Sequence, residues 1–163
     1  MQKALDAFRR IVQALRAADR AGKRRAGLST AQLFALQQIA AHPGASINDV
    51  AALTFTHQSS VSVVTQRLVA KRLVAKVAAS HDRRRQRLAP TAAGKRVLER
   101  APQAVQERLI AAIASLKPAD RRALARSLSD VARLVAPEGA PHPPMLFEER
   151  AGAVGKIVRS VRL

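Results

Sequence analysis

The segment over residues 57–72 constrains the fold of this chain more than any other part. Its periodicity predicts a helix with two opposed sides. One side is apolar and is expected to pack inward, and it consists of Val61, Val64 and Leu68. The other side carries small side chains and one cation, at Ser59, Ser62, Val63, Gln66 and Arg67. A solvated helix face is usually rich in Glu and Lys, so this composition favours a surface that approaches a partner closely.

The elements on either side of this helix predict a known arrangement. Two shorter helices come before it, each with a capping box at its start, Ser29 with Gln32 and Ser46 with Asp49. After it, residues 73–77 and 87–89 have the composition of two short strands around a basic loop over residues 80–86. Helix, helix and basic hairpin in this order predict a winged helix-turn-helix.

Long amphipathic helices are predicted at both ends of this unit. The first has an apolar stripe at Met1, Leu5, Phe8, Val12 and Leu15, and it is expected to end near Gly22 and the basic cluster over residues 23–25. After residue 90 a second helical pattern should be kinked or split at Pro102, because proline removes a helical hydrogen bond. A last helix is expected to begin at Lys117-Pro118. These stripes extend beyond what a small winged helix can cover, so we expect a partner chain to cover them.

The charge of the chain is large and uneven. There are 29 Lys and Arg residues against 11 Asp and Glu, a net charge of +18. Residues 31–70 are neutral, whereas residues 71–100 carry ten basic and two acidic side chains, and residues 1–30 carry eight and two. Such an excess favours a polyanionic partner, either nucleic acid or an anionic membrane surface. A neutral stretch next to the most basic one favours a protein that reads bases with uncharged side chains and holds phosphates with its flanks.

The side chains of the polar stripe suit the edges of DNA bases. Gln can pair with adenine, Arg with guanine and Ser with either, while valine methyls can touch the thymine methyl. The predicted DNA-binding residues are Gln58, Ser59, Ser60, Ser62, Val63, Gln66 and Arg67 on the helix, and Arg83, Arg84, Arg85 and Arg87 on the hairpin. The alternatives are a solvated surface for the stripe, and exposed charge or a loose phosphate grip for the arginine run.

The composition argues against several other classes of protein. Without Cys there is no disulfide framework and no thiolate zinc site, and the four His are scattered without metal-ligand spacing, so we expect no metal and no cofactor. A serine nucleophile needs a base and an orienting acid, and the acidic residues lie near no His except in His81-Asp82, on a loop, so we expect no enzyme. Trp and Tyr are absent, which disfavours a single-strand binder that stacks bases. No apolar run has the length of a membrane span or a signal peptide core, and we expect a cytoplasmic protein.

Three stretches carry a resemblance to a known family. Residues 57–68, the pair Leu73-Val74 and residues 82–94 together resemble the MarR family of bacterial transcription regulators. In the last stretch, Asp82 and Arg84 fit the family's Asp-x-Arg wing signature, ahead of its strand-to-helix junction. Two positions depart from the pattern, since Arg72 stands where the family usually has Gly and Pro90 where it usually has Leu. We expect another turn in place of a left-handed cap at the first, and an early end of the strand at the second.

The resemblance implies a mainly α fold with a small β-hairpin wing, and a homodimer held by the first and last helices. Each recognition helix would lie in a major groove of double-stranded DNA, and each wing over a minor groove. Such proteins bind pseudo-palindromic operators, commonly as repressors released by a small, often phenolic, ligand. Carried over from the family, Asp82 orients Arg84, which enters the minor groove. The family's ligand pocket lies beside the dimer-forming helices, where the candidate lining residues are Phe8, Val12, Phe34 and Leu36.

Four segments describe the expected organisation. They are a dimerisation helix over residues 1–27, a winged helix-turn-helix lobe over 28–100, C-terminal dimerisation helices over 101–136, and a Pro-rich linker with a short amphipathic tail over 137–163. The tail is interpreted as a helix packed on its own dimer, as a disordered segment, or as a partner-binding or pocket-plugging segment. The basic cluster Arg16, Arg20, Lys23, Arg24 and Arg25 is read as a solvated helix face or as a second DNA site. The functional alternatives to a regulator are a non-specific architectural nucleoid protein and a helical interaction protein.

Overall fold

The computed structural model describes residues 1–79 and 82–135, with the backbone alone for residues 78, 79 and 82–86. Its helices and strands, in chain order, are α1 (Gln2–Ala26), α2 (Thr30–Ala41), α3 (Ile47–Thr54), α4 (Gln58–Ala70), β1 (Val74–Ala79), β2 (Asp82–Pro90), α5 (Ala92–Arg100), α6 (Val105–Ala114) and α7 (Pro118–Val135). β1 and β2 pair as an antiparallel hairpin. The predicted mainly α fold with a β-hairpin is confirmed. Within the described ranges, none of the helices is both long and apolar enough to cross a membrane.

The hydrophobic core lies between α2, α3, α4 and the base of the hairpin. Its fully buried side chains include Leu28, Leu36, Ile39, Val50, Val61, Val64, Leu68 and Leu88. Helix α2 is at the centre, because its side chains from Thr30 to Leu36 are all buried. The helices that flank the lobe contribute less, and α7 buries none of its residues.

Both predicted capping boxes are confirmed. At the start of α2, the Ser29 side chain accepts from the Gln32 N–H at 3.3 Å, and the Gln32 side chain accepts from the Ser29 N–H at 3.3 Å. At the start of α3, the Ser46 N–H donates to the Asp49 carboxylate at 2.8 Å, while the Asp49 N–H donates to the Ser46 hydroxyl at 3.2 Å. These reciprocal bonds satisfy amide groups that have no partner within the helix.

The first helix ends directly after the basic cluster over residues 23–25, four residues beyond Gly22. α1 continues to Ala26 and ends at Gly27, which has a φ of 64° and donates its N–H back into the last turn of the helix. Gly22 is buried instead, and a Cβ there would lie 3.1 Å from the Leu28 carbonyl oxygen. This glycine therefore permits a close approach between α1 and the start of α2, and the next glycine provides the left-handed stop.

Both expectations at the departures from the family pattern are wrong. Arg72 adopts a φ of 57°, and its N–H and that of Leu73 donate to Val69 and Leu68 carbonyls, so the left-handed cap forms without glycine. β2 does not end early either, because Pro90 is its last residue and pairs with Val74. The next N–H, that of Thr91, donates to the Leu73 carbonyl at 3.0 Å and continues the pairing past the proline.

Other boundaries follow the proline positions. The helical pattern after the hairpin is split at Pro102, as predicted, since α5 ends at Arg100 and α6 begins at Val105. α7 begins at Pro118, where the missing N–H of proline leaves no helical bond unmade.

The predicted loop over residues 80–86 is shorter than expected, because the backbone from Asp82 onward is strand. The tail over residues 137–163 lies outside the described residues.

Asp19 ties α1 to the start of α2. Its carboxylate accepts from the Thr30 N–H at 3.0 Å and from the Thr30 hydroxyl at 3.1 Å, and it pairs with Lys23 at 3.1 Å. Burial would raise the pKa of Asp19, but the hydrogen bonds from Thr30 and the contact with Lys23 outweigh it and lower that pKa below its ordinary value. The ionised carboxylate therefore stabilises the folded chain at neutral pH.

We expect Asp19→Asn to lower the free energy of unfolding by about 1–3 kcal/mol at pH 7, because the hydrogen bonds lose their charge. A carboxyl whose pKa is depressed by folding contributes stability above its unfolded pKa and loses it as the pH falls through the folded pKa. The difference from the wild type should therefore shrink as the pH falls from about 5 towards about 3. Urea unfolding over this pH range measures it.

Asp6→Asn is the matched control for this experiment. Asp6 forms an ion pair with Arg9 on the surface of the same helix, where both side chains are largely exposed. Exposed pairs contribute little to stability. A pH-independent difference for Asp19→Asn, or an equal effect of Asp6→Asn, would contradict the role assigned to Asp19.

Candidate nucleic-acid interface

Helix α4 presents the two sides that its sequence predicts. Val61, Val64 and Leu68 are completely buried in the core. Among the predicted DNA-binding residues of this helix, Gln58, Ser59, Val63 and Gln66 are exposed, and Ser62 and Arg67 are partly buried. Ser60 departs from the expectation, because it is 7% exposed and lies on the inward side. We therefore leave Ser60 out of the interface.

The turn that leads into α4 is held by several hydrogen bonds. The Phe55 and Thr56 N–H groups donate to the Ala52 and Ala51 carbonyls at 3.2 and 3.0 Å. The buried Thr54 hydroxyl donates to the Val50 carbonyl at 2.8 Å. α3 and α2 both pack against α4, so the exposed side of α4 is presented on a rigid support.

The hairpin is attached to the turn between α2 and α3. The Leu88 N–H donates to the Ala45 carbonyl at 2.9 Å, and the Gly44 N–H donates to the Leu88 carbonyl at 2.9 Å. The Arg87 guanidinium donates to the Gly44 carbonyl at 2.8 Å while remaining exposed. Arg87 was predicted from the sequence as a DNA-binding residue, and the structure gives it a positioning contact at the base of the hairpin. A backbone carbonyl as acceptor leaves no signal in a sequence, so this contact could not be found from residue types.

The other predicted hairpin residues are located by backbone alone. Gln86 stands opposite Ala78 and Asp82 opposite Ala79, so the pairing is irregular over residues 83–85. Irregular pairing of this kind commonly redirects side chains near functional sites. The backbone of Arg83, Arg84 and Arg85 lies in this irregular part, and their side chains, with that of Asp82, are outside the described part of the structure.

The basic cluster of α1 has structural contacts at its C-terminal end. Lys23 pairs with Asp19, and Lys23, Arg24 and Arg25 occupy the last helical turn, where cations interact favourably with the helix dipole. The Lys71 ammonium donates to the Gly27 carbonyl at 2.9 Å, just past this turn. These contacts give Lys23 a structural role at the end of α1.

The predicted pocket residues do not come together. Phe34 and Leu36 are buried in the core of the lobe, whereas Phe8 is 57% exposed on α1. A groove with a cavity volume of about 160 Å³ lies instead between α1 and α6, lined by Ile11, Ala14, Leu15, Val105, Arg108 and Leu109. Among the residues that the structure describes, no three His, Asp or Glu side chains are grouped as metal ligands.

Known proteins are similar to this chain in sequence pattern and in structure. The sequence pattern of the MarR family matches residues 26–85. Among solved structures, a MepR-like protein complexed with pseudoligands is 21% identical over 83% of this chain and 95% of its own, with a TM-score of 0.53. The MepR–DNA complex of S. aureus is 20% identical over 78% and 93%, with a TM-score of 0.55. The transcriptional regulator BldR from Sulfolobus solfataricus is 18% identical over 82% and 95%, with a TM-score of 0.53. No curated protein matches this sequence.

These findings agree with one another. The similarity to the solved structures, at these low identities, shows a shared winged-helix fold. The family pattern covers α2, α3, α4 and the hairpin as far as residue 85, which is the part of the chain that builds the interface. Residues 26–85 thus carry the sequence pattern of the MarR family of transcription regulators, and the winged-helix fold of the chain agrees with this match.

Proposed function

We propose that this chain is a sequence-specific, double-stranded DNA-binding regulator of transcription that acts as a homodimer in the cytoplasm. The observation that carries the proposal is the exposed, almost uncharged side of α4, held above a buried apolar side and followed at once by a basic hairpin. Uncharged side chains that approach bases provide sequence preference, and cations beside them provide affinity for phosphate. A shared fold with the S. aureus MepR–DNA complex supports the same function.

In this function α4 lies in the major groove. Gln66 is exposed and can make a bidentate contact with adenine, and Ser59 and Ser62 can reach either kind of base edge. Val63 is 38% exposed, which suits contact with a thymine methyl. Two copies of α4 read the two half-sites of a pseudo-palindromic operator, roughly 10 base pairs apart from centre to centre.

The hairpin acts as the wing over the adjacent minor groove. Its base is fixed to the α2–α3 turn by the Leu88 backbone bonds and by Arg87, so its direction relative to α4 is set. At the tip, Asp82 orients Arg84, which enters the groove, while Arg83 and Arg85 contact the phosphates on either side. A narrow, A·T-rich minor groove concentrates negative potential and attracts arginine.

The terminal helices form the dimer. α7 exposes Leu128, Val131, Leu134 and Val135, and α1 exposes Leu5, Phe8 and Ile11. Contiguous apolar surfaces of this kind are typical of protein interfaces. Burial of both faces against a second copy also brings two α4 helices into one assembly, as a palindromic site requires.

The regulator is proposed to be a repressor that a small ligand releases. An operator-bound dimer obstructs RNA polymerase, and a ligand that changes the separation of the two α4 helices shifts the population to dimers unable to bind DNA. The groove lies between α1, which belongs to the proposed dimer interface, and α6, which follows the winged helix-turn-helix lobe. It has apolar walls and the Arg108 guanidinium, which fits a small aromatic acid.

Selection from a random duplex library tests the DNA-binding proposal. We expect a pseudo-palindrome bound at least roughly 1000-fold more tightly than bulk DNA. A library that remains random after selection would support the non-specific nucleoid protein instead. Salt dependence does not separate the two, because each neutralised phosphate weakens binding as salt rises in both cases.

On the selected duplex, Gln66→Ala should weaken binding by about 1–3 kcal/mol and leave binding to random DNA unchanged, because it removes a base contact. Arg84→Ala should weaken binding to both duplexes. Gln13→Ala, at an exposed glutamine of α1, is the matched control and should change neither. If Gln66→Ala and Arg84→Ala both bind the selected duplex like the wild type, the interaction protein that acts through its terminal helices becomes the better reading.

Leu128→Glu should convert the dimer to monomer, because it buries an unpaired charge in the proposed interface. Sedimentation of the purified chain at micromolar concentration measures the change. Ser129→Glu adds the same charge one position along α7, away from the apolar stripe, and should remain dimeric. A monomeric wild type, or equal dissociation of both variants, would refute the dimer interface.

An aromatic acid that releases the wild type from its operator should act on Arg108→Gln only at roughly tenfold higher concentration, because a charge-assisted contact is lost. A panel of such acids in a DNA-release titration identifies the ligand. Arg16→Gln, an exposed cation of α1 outside the groove, should respond like the wild type. If the same concentration of acid released Arg108→Gln and the wild type from the operator, the ligand would bind outside the groove between α1 and α6.

A further inference from the structure

Phe55 has an unusual backbone conformation for its residue type. It lies in the turn between α3 and α4, with a φ of 51° and a ψ of 43°. L-residues other than glycine are destabilised in this left-handed region by a clash of their Cβ atom with the backbone. Glycine at this position would form the same turn without that clash.

The turn holds Phe55 in this conformation through its neighbours. The Phe55 N–H donates to Ala52, the Thr56 N–H donates to Ala51, and the Thr56 hydroxyl donates to the Thr54 carbonyl at 3.0 Å. These bonds use backbone atoms and threonine hydroxyls, and the phenyl ring takes part in none of them. The hydrogen bonds of the turn therefore explain the backbone conformation of Phe55, but they do not explain why its side chain is a phenyl ring.

The side chain of Phe55 also lacks a role in the core. It is 79% exposed, whereas Thr54 beside it is buried. The position thus combines a strained backbone, which lowers the stability of the folded chain, with an aromatic ring in solvent, which gains no stability from burial. Strained residues that the surrounding structure holds in place occur preferentially at functional sites.

The location of Phe55 indicates what the ring contacts. It stands three residues before Gln58, the first residue of α4, at the start of the proposed DNA-reading surface. That surface is otherwise composed of small polar side chains, with Val63 as its exposed apolar member. DNA offers two apolar partners at the edge of the major groove, which are the thymine C5 methyl group and the deoxyribose ring.

We propose that Phe55 is a DNA-contacting residue whose ring packs against a thymine methyl or a deoxyribose beside the bases read by α4. This inference rests on the proposed DNA-binding function. It adds a second apolar contact, beside that of Val63, to a site whose remaining members bind through hydrogen bonds and charge. The chain keeps a phenylalanine where glycine would be more stable because the ring increases affinity for DNA.

The test is the variant Phe55→Gly, measured for stability and for DNA binding in the full chain. We expect its thermal unfolding midpoint to rise, because the backbone strain is removed. We expect its affinity for the selected duplex to fall at least about tenfold, because the apolar contact is lost. The slope of log affinity against log salt should stay unchanged, since no phosphate contact is removed.

Arg72→Gly is the matched control. Arg72 is also exposed and has a φ of 57°, at the opposite end of α4. Its replacement should raise the unfolding midpoint in the same way. Any loss of DNA affinity should be small and accompanied by a lower salt slope, because the removed group is a cation.

Duplexes with uracil in place of thymine separate the two apolar partners. If the ring contacts a thymine methyl, replacement of thymine by uracil weakens the wild type more than it weakens Phe55→Gly. If the ring contacts deoxyribose, uracil weakens both proteins equally, through the methyl contact of Val63, and Phe55→Gly remains the weaker binder. Phe55→Leu keeps an apolar side chain in the left-handed region, so it should retain part of the affinity without the gain in stability.

Several outcomes would overturn the inference. Equal affinity of Phe55→Gly and the wild type for the selected duplex would show that the ring makes no contact with DNA, and the proposed function would stand without it. A lower unfolding midpoint of Phe55→Gly would show that the ring stabilises the fold. A change in oligomeric state would place the ring against a second copy of the chain. A wild type that selects no duplex would refute the proposed function itself.

Discussion

The burial of one side of α4 is the constraint on which the rest of the structure depends. Val61, Val64 and Leu68 are completely buried, and they meet the residues of α2 and the hairpin base in one core. Side chains three and four residues apart share a helix face, so this burial determines which residues of α4 point outward. A rotation of the helix that exposed these residues would bury the polar stripe without hydrogen-bond partners. The exposed surface is therefore set by the core beneath it.

The hairpin is joined to the same core rather than extending from it freely. Leu88 is completely buried, and its backbone pairs with Gly44 and Ala45 in the turn before α3. On the other side, a Cβ at Gly94 would lie 2.2 Å from the Leu73 carbonyl oxygen, so α5 also packs directly against the start of the hairpin. The two strands are thereby held between α3 and α5. Their basic end is presented beside α4 in a fixed direction, which a two-part DNA interface needs.

Two exposed residues with positive φ flank α4, and their side chains differ in how well water solvates them. Phe55 precedes the helix and Arg72 follows it. Both occupy a conformation that glycine would adopt more easily, in turns held by backbone hydrogen bonds. A cation at such a place remains well solvated, whereas an aromatic ring exposes apolar surface to water. This difference in solvation is the reason for proposing a binding partner for Phe55 and none for Arg72.

Patterns along the chain were sufficient to predict the main helices and their boundaries, because these features depend on side chains close together in sequence. The two capping boxes, the split at Pro102, the start of α7 at Pro118 and the two sides of α4 all follow from side chains a few residues apart. The tertiary structure decided what depends on distant neighbours. Gly22 is a packing contact with Leu28 instead of a helix stop, Ser60 faces inward, and Arg87 binds the Gly44 carbonyl 43 residues away. Phe34 and Leu36 are in the core because α2 packs against α1, α3, α4, α5 and the hairpin, a set of neighbours that only the fold provides. Sequence alone thus determined which residue types follow one another on each helix, and only the packing of the helices decided which of them remain available to a partner.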